Sequence, residues 1–248
     1  MITETTNAAL RKLAAAGIPI IIATGRALEW SKYILEDAGV KGWIVASTGS
    51  VVWDGVNSRL VDVKLLPEEV SRRAISAARK LNVTFFIETV DEVMVDAHEP
   101  FIPHVSQVAI ENSNGKRDFR HVKIDEIPWK NLTKITFAAA PNRIAEIEPE
   151  IMNYFPSAVR GGPEFLDLTP PNISKLDGIT LAQQALGLDS HTGLGAGDSG
   201  NDVSWLDTMG ISVAAPGATP DLLAKAKYLL PNTENPVADL IHAILAQR

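Results

Sequence analysis

Three short polar clusters have residue types and spacing fit for chemistry, and each follows an apolar run. They are Thr24, Gly25 and Arg26; Ser47, Thr48, Gly49 and Ser50; and the GDSGND segment from Gly197 to Asp202. In the third, Asp198 comes first and Asp202 follows about one helical turn later. Both carboxylates can then point at one place, as a hard oxygen-ligand cation such as Mg2+ requires. Gly197 and Gly200 permit a tight turn, and Asn201 can lock it through side-chain to backbone hydrogen bonds. The same residue types also make ordinary turns and helix starts, so composition alone leaves a metal site and a plain turn evenly matched. Thr24 offers a hydroxyl beside backbone N–H groups that can cradle phosphate, and it suits a helix N-cap equally well. Lys175 follows the TPPNIS segment, where its ammonium can neutralise a phosphoryl oxygen or simply sit in solvent.

For these clusters to share a crevice, the elements before them must be strands of one parallel sheet ending on the same edge. Residues 3–16 read as an amphipathic helix with Ala9, Leu10, Leu13 and Ala16 on one side, stopped by Gly17. Residues 18–23 (IPIIIA) form an unalternated, β-branched run that suits a strand buried on both faces. A helix over 27–38 and a strand over 43–47 continue the βαβ pattern. The middle differs. VVWDG can pair with a strand over 59–63, and a helix runs from Pro67 to Lys80. TFFIET, EVMVDA and residues 134–140 have strand composition, with a polar loop around 113–116. A helix over 142–155 and a strand over 164–168 complete this unit. After a helix over 174–186, strand signals return before GDSGND, in ISVAA and in YLLPN, and a last helix covers 237–245. The expected architecture is α/β: a Rossmann-like parallel-sheet core from residues 1–64 and 169–248, with an α+β cap domain inserted at 65–168.

Composition removes several function classes. A formal charge of -7 with no Lys/Arg-rich run argues against a nucleic-acid surface. With no cysteine, thiolate chemistry and disulfides are excluded. The apolar runs fall short of membrane-spanning length and the start lacks an export signal, so a soluble cytoplasmic protein is expected. His98, His104, His121, His191 and His242 lack zinc-ligand spacing, no serine sits in a nucleophile elbow, and Trp43, Trp53 and Trp205 read as packing residues.

Taken in order, ATGR (23–26), STGS (47–50), FLDLTP…SK (165–175) and GAGDSGND (195–202) resemble the motifs of the Cof-type branch of the haloacid-dehalogenase superfamily. DTMG followed by VAAPGATP strengthens the resemblance, which spans essentially the whole chain. It implies a Mg2+-dependent phosphatase of small phosphorylated metabolites, commonly sugar phosphates, working through an aspartyl-phosphate. It also implies roles. Thr24 matches the hydroxyl that binds the transferring phosphoryl group, with Gly25 completing its motif, and Lys175 matches the lysine that pairs with nucleophile and phosphate. Asp198 corresponds to the metal-ligating carboxylate, Asp202 to its supporting carboxylate, and Asn201 to the loop residue beside them on the phosphate side. Arg26, Thr48 and Gly49 fall on the substrate side. Thr48 stands where the family usually has asparagine, and Leu176 where a glycine usually follows the lysine.

Members of that family begin with a central strand ending in Asp-x-Asp-Gly-Thr, whose first aspartate attacks phosphorus and whose second is the general acid and base. This sequence contains no such segment, and Glu4, Asp37 and Asp54 lack the strand-end context to replace it. The expectation is therefore a core without its central first strand, inactive as it stands, from a gene whose intact product is the phosphatase. The alternative is a pseudoenzyme that binds a phosphometabolite or recruits a protein without catalysis.

Overall fold

A computed structural model describes residues 2–98, 101–103, 107 and 118–247. The polar loop expected around 113–116, and His104, lie outside the described residues.

The chain opens with α1 (Glu4–Ala15), whose first turn is capped by the Thr3 hydroxyl accepting from the Thr6 N–H. Strand β1 (Ile21–Ala23), helix α2 (Glu29–Ala38) and strand β2 (Trp43–Ala46) follow, and β1 pairs with β2 in parallel. Antiparallel strands β3 (Val51–Asp54) and β4 (Arg59–Val63) extend this to a four-stranded sheet of order β1-β2-β3-β4. Asp54 ends β3 opposite Trp43, the first residue of β2, which is the sheet edge remote from Ser47. Its carboxylate accepts from Val56, Asn57 and Arg59, so it locks the β3–β4 turn.

Helix α3 (Glu68–Lys80) leads into a six-stranded sheet made of β5 (Thr84–Glu88), β6 (Val93–Asp96), β7 (Arg120–Val122), β8 (Lys134–Ala138), β9 (Ala158–Gly162) and β10 (Phe165–Leu168). Helix α4 (Pro141–Tyr154) separates β8 from β9, and the strand order is β7-β6-β5-β8-β10-β9. Strand alternation divides its residues between two faces. Phe85, Ile87, Ile135, Phe137, Leu166 and Leu168 pack under α3 and α4 with Ile75, Ile144, Ile147 and Ile151 in one apolar core. The intervening residues, Phe86, Glu88, Lys134, Thr136, Phe165 and Asp167, form the opposite face and line a cavity against the first sheet. Strands β7 and β9 are additions to the expected list. One has three residues, and the other contains a glycine pair that carries no strand signal.

Helix α5 (Lys175–Leu186) ends at the left-handed Gly187, and a third sheet contains β11 (Leu194–Gly197), β12 (Ile211–Ala214) and β13 (Tyr228–Leu229), all parallel. Short helices α6 (Val203–Leu206) and α7 (Pro220–Lys225) connect these strands, and α8 (Pro236–Ala246) packs against α1. The result is α/β with mixed and parallel sheets.

The expectation of a strand over 18–23 buried on both faces is corrected. The strand covers only Ile21–Ala23 and all three residues are half-buried, whereas every residue of β2 is buried. The physical reason is pairing: among the described residues β1 is bonded on the β2 side alone, and β11 on the β12 side alone.

Candidate active site at the sheet edges

The carboxyl ends of β1 and β11 open into a cavity of about 450 Å3, lined by Thr24, Gly25, Arg26, Lys175 and the loop from Gly197 to Asp202, with the six-stranded sheet as its far wall. Another depression of about 550 Å3 lies beside Lys64, Asp177 and Thr208. Of the strand-end cluster residues only Gly49 lines it, whereas the other cavity brings two of the clusters together with Lys175, so the first cavity is the candidate site.

Thr24 continues β1, its N–H bonding the Val45 carbonyl at 2.9 Å. Its hydroxyl accepts from the Arg26 N–H at 3.1 Å, which leaves the O–H proton to donate elsewhere. Thr24 is therefore a turn residue; α2 begins only at Glu29, and Leu28 is its N-cap. Arg26 is exposed at the rim.

Lys175 is buried at the first turn of α5, which is fixed by reciprocal bonds between Ser174 and Asp177. Its ammonium donates to Asp202 Oδ1 at 2.7 Å and Asn201 Oδ1 at 2.9 Å. With three donors on an ammonium, one remains. The buried Asp202 is fully occupied: Oδ1 also accepts from Trp205 Nε1 at 3.0 Å, and Oδ2 from the N–H groups of Asp198 and Ser199, each at 3.2 Å. Burial alone would raise this carboxyl, but Lys175, Trp205 and the loop N–H groups hold it below the usual carboxylate range. A Cβ on Gly197 would lie 2.8 Å from Asp202 Cβ, so this folded-under loop needs glycine there.

Asp198 is exposed where β11 ends, and no hydrogen bond or ion pair engages its carboxylate among the described residues. Among those residues no group of three His, Asp or Glu can hold a metal ion. The donor chemistry nevertheless fits Mg2+ as a partial set, because Mg2+ keeps several waters and is bound through one or two carboxylates plus phosphate oxygens.

The loop at 47–50, expected on the substrate side, lies behind Gly25, where a Cβ would stand 3.4 Å from Thr48 Oγ1. Thr48 and Gly49 are buried and do not line the cavity. Thr48 has φ 58°, and its Oγ1 has no hydrogen-bond partner among the described residues. Gly49 has φ 106°, and a Cβ there would fall 2.1 Å from the Ser174 carbonyl oxygen. Only glycine lets this loop lie against the backbone that leads into Lys175.

Sequence reasoning left the far wall unnamed. Ser47 Oγ donates to Glu88 Oε2 at 2.7 Å, Lys134 Nζ reaches Glu88 Oε1 at 2.8 Å and donates to the Gly25 carbonyl at 2.5 Å, and Thr136 Oγ1 donates to Asp167 Oδ1 at 2.6 Å. Burial pulls Lys134 down, but the Asp167 and Glu88 carboxylates outweigh it and hold the ammonium above its ordinary value. Burial pushes Glu88 up, against Lys134 and Ser47. The available signal was a charge within or at the end of each of three apolar strands, which burial tolerates only with a partner. Trp30, Phe86 and Phe165 supply aromatic surface beside them.

The profile of haloacid dehalogenase-like hydrolases matches residues 1–241. This chain belongs to that family. Within the family, it is 23% identical over 268 residues to the 5-amino-6-(5-phospho-D-ribitylamino)uracil phosphatase YwtE of Bacillus subtilis, covering 99% of this chain and 93% of that one. A haloacid dehalogenase-like hydrolase from Bacteroides thetaiotaomicron has a similar fold, with TM-score 0.84, 20% identity, and coverage of 98% and 93% of the two chains. The sugar phosphatase BT4131 superposes with TM-score 0.78 at 21% identity over 98% of this chain and 92% of its own. No helix among the described residues is long and apolar enough to cross a membrane.

Proposed function

We propose that this protein binds small phosphate monoesters, sugar phosphates among them, as a phosphatase of the haloacid dehalogenase-like family. The observation that carries this reading is the convergence of the Thr24 hydroxyl, the Lys175 ammonium and Asn201 on one cavity, with the Asp198 carboxylate at its edge. Lys175 and the Thr24 hydroxyl hold the phosphoryl oxygens, and the Asn201 amide adds a donor because its carbonyl is already bonded to Lys175 and Ser199. Asp198 holds Mg2+, which when bound supplies charge neutralisation at the phosphate. Asp202 does not touch substrate; it fixes Lys175 and the loop.

The attacking aspartate belongs on a strand between β1 and β11, ending at the same edge. The half-burial of β1 and the one-sided pairing of β1 and β11 support that placement. Without such a strand the site binds a phosphate ester but lacks the nucleophile for covalent transfer. The residues from 65 to 168 act as a cap that closes the site and selects the leaving group.

The test compares the 248-residue chain with the same chain carrying an added N-terminal strand that ends in Asp-x-Asp-Gly-Thr. The extended protein should hydrolyse p-nitrophenyl phosphate with Mg2+ and lose that activity when the first aspartate of its Asp-x-Asp-Gly-Thr becomes asparagine. The shorter chain should bind inorganic phosphate, measured calorimetrically, without turnover. Turnover by the shorter chain, or phosphate affinity unchanged by Lys175→Met, would sink the proposal. Phosphate-ester binding with no turnover in either form would favour the non-catalytic sensor.

A further inference from the structure

We propose that Asp167 is a specificity-determining residue: its Oδ2 accepts a hydrogen bond from a hydroxyl or ammonium on the leaving group and repels a second anion there. This rests on the phosphate-binding reading above and extends it to the other end of the ligand.

The argument begins with strand register. Lys134 stands directly across from Glu88, and Thr136 stands between Phe86 on one neighbouring strand and Asp167 on the other. All five residues therefore occupy one sheet face, at the cavity. The donors of this wall are committed. Lys134 contacts Glu88 Oε1 at 2.8 Å, the Gly25 carbonyl at 2.5 Å and Asp167 Oδ1 at 3.6 Å. The single hydroxyl proton of Thr136 goes to Asp167 Oδ1 at 2.6 Å. One ammonium thus faces two carboxylates, and the wall keeps acceptor capacity and an excess negative charge. No partner takes Asp167 Oδ2 among the described residues, although the residue as a whole is 6% exposed.

Backbone geometry leaves room over that oxygen. The pairing of β9 with β10 slips between Phe165 and Leu166, so Gly161 is the extra residue of a bulge. A Cβ on Gly161 would lie 2.7 Å from Asp167 Oδ2, and one on Gly25 would lie 3.8 Å from it. Two residues without side chains flank this acceptor, which has no protein donor among the described residues. Trp30, Phe86 and Phe165 beside it suit the C–H face of a sugar ring. A leaving group bearing a carboxylate or second phosphate would bring like charge against Asp167 and Glu88.

The experiment is calorimetric titration of the full chain in Mg2+ with inorganic phosphate, glucose 6-phosphate, glucosamine 6-phosphate and 3-phosphoglycerate. Both sugar phosphates should bind about tenfold or more tightly than 3-phosphoglycerate, since a charge-assisted bond is gained in one case and repulsion in the other. Tighter binding of glucosamine 6-phosphate than of glucose 6-phosphate assigns the donor to an ammonium, and equal affinity assigns it to hydroxyls. Asp167→Asn should erase the preference. Gly161→Ala, on an exposed position of β9, should erase it too by covering Oδ2, while leaving inorganic phosphate affinity unchanged. Equal binding of all three esters by the unaltered chain, or a preference that survives in folded Gly161→Ala, overturns the inference. If inorganic phosphate itself fails to bind, the phosphate site is refuted and this assignment falls with it.

Discussion

Replacing Lys175 by methionine keeps a chain of similar length but removes the ammonium 2.7 Å from the buried Asp202 carboxylate. Breaking one side of a buried ion pair costs about 3–5 kcal/mol, because the remaining charge loses its partner while staying out of water. Here Asp202 still accepts from Trp205 and from the N–H groups of Asp198 and Ser199, so the lower end applies, about 3 kcal/mol. For a chain of this length that is a fall in Tm of about 6–12 °C. The pH dependence is more diagnostic than the size. The Asp202 carboxyl lies below its ordinary value of 3.8, so its contribution is present above that value and is lost as pH falls through the lowered one. In Lys175→Met burial pushes the carboxyl up instead, so the stability gap should be widest at neutral pH and narrow as the medium becomes acidic. Urea unfolding of both proteins from neutral to acidic pH, with Asp202→Asn and the double variant to measure coupling, checks this. A gap below about 1 kcal/mol, the size expected of a solvent-screened pair, or one that does not change with pH, would refute the reasoning.

Gly49→Ala should destabilise the chain by more than about 1 kcal/mol, since it combines a left-handed φ with a methyl 2.1 Å from the Ser174 oxygen; thermal unfolding reads the change, and an unaltered Tm contradicts the close approach. Asp198→Asn should weaken Mg2+ binding by calorimetry while leaving Tm nearly unchanged, and Asp202→Asn should lower Tm strongly. Equal effects on both quantities would return the loop to an ordinary turn. Glu88, with its carboxyl raised above 4.5, contributes most below that value and loses its contribution as pH rises through the raised one. Glu88→Gln should therefore show a flatter decline of stability above 4.5 in urea titrations, and parallel slopes would argue against the assignment.

The half of the site built from local loops was legible because its chemistry is written in consecutive residues. Asp202 folds back on Asp198 and Ser199, and Thr24 on Arg26, so the spacing in the sequence is the spacing in space. The order of helices and strands followed from period and from the glycines at 17, 39 and 187, each of which has a positive φ. The far wall was not legible. Glu88, Lys134 and Asp167 come from strands that meet only through the order β5-β8-β10, and no single window contains two of them. Each looked like a lone charge within or at the end of an apolar strand, and the partner that makes it tolerable was set by pairing register. The burial of Thr48 and Gly49 was not legible either, since the close approach of Gly49 to the Ser174 backbone joins segments far apart in the sequence.

The Lys134 ammonium joins Glu88 and Asp167, on the far wall of the cavity, to the Gly25 carbonyl in the loop proposed to hold phosphate. Thermodynamic reciprocity follows from that joint: if a fragment resting on the wall tightens phosphate binding by ordering Gly25, phosphate must tighten the fragment by the same factor. The two halves of an ester, offered as separate molecules, should then bind cooperatively in one cavity, and cutting the Lys134 link should make them indifferent to each other.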